Sequence, residues 1–230
     1  MRYAIYYSPP EKSLLHQLGA SWLGYNAFTG KGITRHGNGL LDGKTEAASR
    51  YGFHATLKAP FFLNDGMPES ALISAVAELS ASVTPVRIGK LVLREIDGFL
   101  ALVPEVQSRK VSELAGACVQ TLDVFRKQPD EVEIIRRRAE NLSPRQHRYL
   151  TEWGYPYVFE EFGFHMTLSR RLDPAEQPAV LTLAQDYFAE VIDRPLVIDT
   201  LTVFTEATSQ GLFKIEKQFQ LAAKKLAVPA

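Results

Sequence analysis

Two short strings hold the chemistry this sequence can do: Tyr51-Gly52-Phe53-His54-Ala55-Thr56-Leu57 and Phe162-Gly163-Phe164-His165-Met166-Thr167-Leu168. They share one pattern, aromatic-Gly-Phe-His-x-Thr-Leu, at an offset of 111 residues. Histidine titrates near pH ~6.5, so of two imidazoles facing one cleft, one can accept a proton while the other donates one. An in-line displacement at phosphorus needs that pair, together with hydrogen-bond donors for the equatorial oxygens whose charge must be stabilised. Thr56 and Thr167 can supply those donors. A single His-x-Thr on a strand is ordinarily a half-buried structural pair. Here the neighbours have diverged, Ala55 against Met166 and Lys58 against Ser169, around unchanged His and Thr.

Residues two apart on a strand share a face. Gly52, His54 and Thr56 therefore point one way, with Lys58 next on that face, while Phe53, Ala55 and Leu57 point the other. In the second copy Gly163, His165, Thr167 and Ser169 form the polar face, and Phe164, Met166 and Leu168 the apolar one. The repeat extends beyond the motifs. Pro68 and Pro174 each open a helix, and Ile88-Gly89-Lys90-Leu91 matches Ile198-Asp199-Thr200-Leu201, with a strand after each. Two strand-helix-strand-strand copies, about 51–104 and 162–221, within one two-lobed domain over 1–230, suggest an approximate two-fold; if it runs between the motif strands, both His-x-Thr faces converge on one cleft. Candidate substrate contacts are Lys58 and Ser169 on the motif faces, Arg171 continuing the second face, and Arg145, Arg148 and Tyr149 ahead of the second motif. Tyr155 and Tyr157 could stack on a base or sugar, or simply pack between lobes.

These paired motifs, in a duplicated frame, resemble the two-histidine (2H) phosphoesterase superfamily. The longer strings Tyr51-Gly52-Phe53-His54-Ala55-Thr56-Leu57-Lys58-Ala59-Pro60-Phe61 and Trp153-Gly154-Tyr155-Pro156-Tyr157, the latter ahead of Phe164-His165-Met166-Thr167-Leu168, are similar to a branch described as phosphonate-metabolism proteins. The resemblance implies an α+β fold, duplicated and bilobal, with two antiparallel sheets lining a central cleft and helices on the outer faces. It implies hydrolysis of cyclic phosphodiesters, such as 2′,3′-cyclic nucleotides, to phosphomonoesters, with His54, Thr56, His165 and Thr167 as the catalytic set. In the phosphonate branch the implied substrate is a ribosyl cyclic phosphate such as phosphoribosyl 1,2-cyclic phosphate. No metal or other cofactor is called for. Two other readings stand beside a small-molecule cyclic phosphodiesterase: the same chemistry on an RNA terminus, and a catalytically silent phosphate- or nucleotide-binding module.

The elements that must position these residues follow from periodicity. Residues 2–7 read as a strand ending at Pro9-Pro10. Leu14, Leu15, Leu18 and Trp22 then mark a helix. Six glycines between 24 and 50 read as a long surface loop, within which His36-Gly37-Asn38-Gly39 is a weak candidate phosphate cradle. Strands are expected near 51–58, 86–93, 98–103, 162–169, 196–205 and 211–220. Helices are expected near 68–82, 108–127, 130–142, from Ser143 onward by a capping box, and near 174–191.

The composition sets the outer limits. Over 230 residues, 26 Lys+Arg balance 26 Asp+Glu, so the chain is no polycation built for long nucleic acid, although Arg136-Arg137-Arg138 gives a local basic run. At 46% hydrophobic it can bury a core. Cys118 is the one cysteine, read as a buried small hydrophobe, so no intramolecular disulfide and no cysteine-based zinc site forms. His16, His36 and His147 read as structural or solvent-exposed. No run approaches the roughly 20 apolar residues of a membrane helix, and the expected setting is cytoplasmic, with no membrane partner. Oligomeric state leaves no mark in the sequence.

Overall fold

The computed structural model describes residues 1–37, 39–128 and 142–222. The expected helix at 130–142, the Arg136–Arg138 run, Asn38 of the glycine-rich segment and the Lys/Ala-rich tail from 223 onward lie outside the described residues.

Every strand pairing is antiparallel. Strands β1 (Arg2–Tyr7), β4 (Ala55–Phe62), β5 (Val86–Ile96), β6 (Phe99–Pro104), β7 (Met166–Arg171), β8 (Pro195–Ile198), β9 (Thr200–Glu206) and β10 (Lys214–Gln220) form one sheet in the order β10-β9-β1-β4-β7-β6-β5-β8. A two-stranded hairpin, β2 (Tyr25–Asn26) with β3 (Lys31–Gly32), sits apart. The eight strands are two four-stranded halves joined at the centre by a single pair, Ala55 opposite Met166. Residue Asp199 alone separates β8 from β9, yet these strands stand near opposite ends of the order. The sheet must therefore curl until its ends nearly meet, and its two halves line a common interior.

Helices α3 (Glu69–Ser82) and α4 (Arg109–Thr121) pack on the half containing β1, β4, β9 and β10, while α1 (Leu14–Leu23) and α6 (Gln177–Tyr187) cover β7 and β5 on the other half. Alternation explains β1. Tyr3, Ile5 and Tyr7 enter the main core, whereas Ala4 and Tyr6 enter a smaller cluster with Tyr25, Ala27, Phe204 and Phe213. Trp22 on α1 is fully buried and its Nε1 donates to the Leu168 carbonyl at 2.8 Å, pinning that helix to β7. Cys118 is buried on α4, and burial pushes its thiol up to about 12, which makes it an inert core residue.

The region 24–50 is better organised than a loop. It contains the hairpin, a series of turns, the single-turn helix α2 (Glu46–Ser49) and the fully buried Leu41. Its apolar residues are too few and too widely spaced to show a period, so the packing is invisible to pattern. The sequence copies also interleave. β4 lies in one half and β5 and β6 in the other, while β7 and β8 lie opposite β9. Each half is therefore built from both copies.

Candidate active site

The seam between β4 and β7 builds the site. Ala55 and Met166 pair directly and are both fully buried. In antiparallel register their neighbours point to the other face, setting His54 against Thr167 and Thr56 against His165 at the spacing of a direct cross-strand pair, roughly 5 Å between Cβ atoms. The apolar residues of both motifs, Phe53, Leu57, Phe164 and Leu168, point into the core. All four His and Thr side chains are partly buried.

The two imidazoles are held in the same way. His54 Nδ1 lies 2.9 Å from the Gly52 carbonyl, and His165 Nδ1 lies 2.8 Å from the Gly163 carbonyl. A carbonyl can only accept, so in each ring the proton sits on Nδ1 and Nε2 is left to face the cleft. His54 Nε2 is 3.3 Å from Thr56 Oγ1. The bend that turns His54 back on its own chain requires Gly52, which has φ +71° and whose added Cβ would lie 2.7 Å from the Ala27 Cβ. The second histidine is steadied by Gln107, which receives the Phe164 N–H at 3.0 Å and returns a bond to the Phe164 carbonyl at 3.1 Å.

The surroundings of the rings differ. His54 stacks on the buried Tyr6 ring at 3.8 Å between centroids, whereas Phe99 is tilted at 5.8 Å from His165. Burial lowers the His54 pKa to about 4, opposed by the Gly52 hydrogen bond and assisted by the nearby His165. His54 is thus neutral at pH 7, with an Nε2 lone pair that accepts a hydrogen bond, here from the Thr56 hydroxyl.

Two adjoining cavities open on the motifs. One of about 620 Å³ is lined by His54, Thr56, Thr167, Tyr6, Tyr51 and Arg2, among others. The other, about 400 Å³, has His165, Thr56, Phe99, Val158, Phe162 and Arg171 among its walls. Thr56, Ala59, Tyr155 and Tyr157 line both. The loop carrying Tyr155 and Tyr157 follows α5 (Pro144–Trp153), whose Ser143 capping box forms as the sequence indicates. The buried Arg126, bound to Asp123 and to the Glu152 carbonyl, holds the end of that helix.

The expected substrate contacts divide. Tyr155 and Arg171 line the cavities. Ser169 lies at the wall of the larger cavity, but its hydroxyl donates to the Arg170 carbonyl at 2.8 Å and receives the Leu100 N–H at 2.9 Å. Lys58 leaves the His54 face altogether. Tyr6 opposes Thr56 and Ile5 opposes Lys58, so β4 carries an extra residue, and both Leu57 and Lys58 are buried. Such a bulge breaks the two-residue alternation. The Lys58 ammonium donates to the Val119 carbonyl at 3.2 Å and to Asp123 at 3.0 Å. The β7 strand has the matching irregularity against β6, where Ser169 stands. Arg145 pairs with Glu161, Tyr149 donates to Glu160, and Arg148 lies over the Tyr149 ring; these three line neither cavity. His16 is buried and His36 stacks on Tyr187. Tyr6, Gln107 and Arg2 were not legible as site residues, although the alternation of β1 puts Arg2, Ala4 and Tyr6 on one face.

The curled antiparallel sheet brings one His-x-Thr from each copy to its two central strands, the arrangement expected from the resemblance drawn from the sequence. The chain belongs to the family described as "Protein of unknown function (DUF1045)", whose model matches residues 56–214. Two curated relatives, from Janthinobacterium sp. (strain Marseille) and Laribacter hongkongensis (strain HLHK9), both carry the name "Ribose 1,5-bisphosphate phosphokinase PhnN". They are 36% and 34% identical to this chain, over 89% and 94% of its length. The chain spans about half of each relative, 47% and 50%. Similar solved structures include TT0787 of Thermus thermophilus, 16% identical over 97% of this chain and 100% of that one, with a TM-score of 0.46. Another is E. coli LigT complexed with 3′-AMP, 13% identical over 96% and 97% of the two chains, at 0.45.

Proposed function

We propose that the protein is a cyclic phosphodiesterase that opens a cyclic phosphate on a ribose or ribonucleoside to a phosphomonoester, without a metal. The observation that carries this reading is the pair of imidazoles, each with Nδ1 tied to its own glycine carbonyl and Nε2 turned to a cleft shared with Thr56 and Thr167. His54, held neutral, takes the proton of the attacking water at Nε2. The water oxygen bonds to phosphorus as the opposite ring P–O bond breaks, and His165, entering the reaction with a second proton on Nε2, gives that proton to the departing oxygen. Thr56 and Thr167 donate to the two equatorial oxygens. Two small adjoining cavities suit a nucleotide-sized ligand better than an extended strand of RNA. The ribosyl class draws support from the phosphonate-branch resemblance and from the ribose phosphate in the relatives' name. Phosphorylation of a sugar draws none: the one Gly-Lys-Thr, at 43–45, lacks the first glycine of a phosphate-binding loop, position 38 being Asn, and Lys44 pairs with Glu176 at 3.6 Å.

The test is phosphomonoester release from 2′,3′-cyclic nucleotides and ribosyl 1,2-cyclic phosphates in EDTA. His54→Ala and His165→Ala should each lower kcat by roughly 10²–10⁴-fold. Because the proposed step runs on the two imidazoles and the two hydroxyls, turnover should survive the chelator. Loss of turnover in EDTA, or binding without turnover from pH 5 to 9, would overturn the assignment.

A further inference from the structure

The larger cavity contains one charge that the two-histidine chemistry leaves unused. Among the described residues, Arg2 is the only Lys, Arg, Asp or Glu that lines it. Its Nε donates to Glu206 at 2.5 Å, and Glu206 is buried. Arg50 binds the other oxygen of the same carboxylate. One buried negative charge thus serves two guanidinium groups, leaving an excess positive charge beside the cavity. The arginines differ in what they have left to give. Arg50 places Nε on the Gly211 carbonyl and its terminal nitrogens on Gln210 and Glu206. The Arg2 side chain makes no hydrogen bond to a described residue beyond the one from Nε, so its two terminal nitrogens are unspent where it meets the cavity. Phe213 lies under the guanidinium at 5.5 Å, and the rings of Tyr6 and Tyr51 line the wall beside it.

We infer that Arg2 receives a second anionic group of the substrate, a phosphate on the side of the sugar away from the ring that opens. This rests on the cyclic phosphate reading above and narrows it to phosphorylated sugars. Two parallel N–H donors on a fixed guanidinium match two oxygens of a phosphate, and the ion pair to Glu206 fixes the plane of that fork. Arg2 and Tyr6 lie on the same face of β1, about 13 Å apart along the strand, and both side chains line the one cavity. Tyr6 stacks on His54, so the anion site and the catalytic imidazole stand at the two ends of one continuous wall.

The experiment separates this inference from the reading it rests on. By calorimetry, wild-type protein should bind ribose 1,5-bisphosphate roughly 10–100-fold more tightly than inorganic phosphate, a comparison that needs no turnover. Arg2→Met made together with Glu206→Gln, which leaves no uncompensated buried carboxylate, should abolish that preference, and Arg50→Met should keep it. In turnover, wild type should favour a ribosyl 1,2-cyclic phosphate bearing a 5-phosphate over one without it by a similar factor in kcat/KM. The Arg2 variant should lose this preference while still opening the unphosphorylated ring. Equal binding of the two probes by wild type, or a preference that survives loss of Arg2, overturns the inference. Absence of turnover on both rings overturns the cyclic phosphate reading instead, and the calorimetry then decides the role of Arg2.

Discussion

His54 and His165 make the same hydrogen bond in different company, and the difference is measurable. Stacked on Tyr6 and partly buried, His54 is protonated only near pH 4 in the folded protein, against about 6.5 in the unfolded chain. The acidic limb of kcat/KM, which reports the base of the free enzyme, should therefore fall well below 6.5. Tyr6→Leu, which removes the stacked ring, should move it upward; a limb at 6.5 in wild type would refute His54 as the base. The same shift sets an acid sensitivity. Between the two values the unfolded chain holds more protons than the folded one, so the stability is fully present above about pH 6.5 and is lost as pH falls toward 4. Urea midpoints at pH 7 and pH 4.5 should differ more in wild type than in His54→Gln, whose amide does not titrate.

At the scale of elements, the strand that carries His54 depends on a turn at one end and a bulge after the motif. Gly52→Ala should destabilise by about 1–2 kcal/mol from its left-handed backbone, plus the cost of a Cβ at 2.7 Å from Ala27. Adding Ala27→Gly should recover the contact cost and leave the backbone cost. Lys58→Met tests the bulge. Asp123 keeps Arg126 on both oxygens, at 2.7 and 3.0 Å, so the loss should be about 1–3 kcal/mol rather than that of a stranded charge. KM should hardly change, whereas a substrate ligand at Lys58 would raise it. Most elements were legible because their periods are strong: the α1 and α3 stripes, the capping box at Ser143 and the two motif strands. Lys58 was misplaced because alternation assumes an unbroken ladder, and bulges leave no mark in composition. The expected strand at 196–205 divides at Asp199 because its two parts pair with different neighbours, β5 and β1. Pairing partners are a property of the sheet, which no local window contains.

The same division governs the whole molecule. Had each sequence copy folded into its own lobe, the protein would contain two units able to unfold separately. Instead β4 of the first copy stands with β9 of the second, and β5 and β6 of the first stand with β7 and β8 of the second. Removing either copy would strip strands from both halves, leave β1 with an open edge, and take away one of the two His-x-Thr motifs. The halves should therefore melt as one. Trp22 packs against Tyr187 and Phe188 on the half covered by α1 and α6, while Trp153 lies against Phe159 beside the cleft loop, so fluorescence samples two different environments. In urea, the fluorescence transition and the far-ultraviolet circular dichroism transition should share one midpoint, and replacing either tryptophan by Phe should shift that midpoint for both probes together. Two separated midpoints would mean that the halves are independent and that the single Ala55–Met166 pair at their seam contributes little to holding the catalytic faces together.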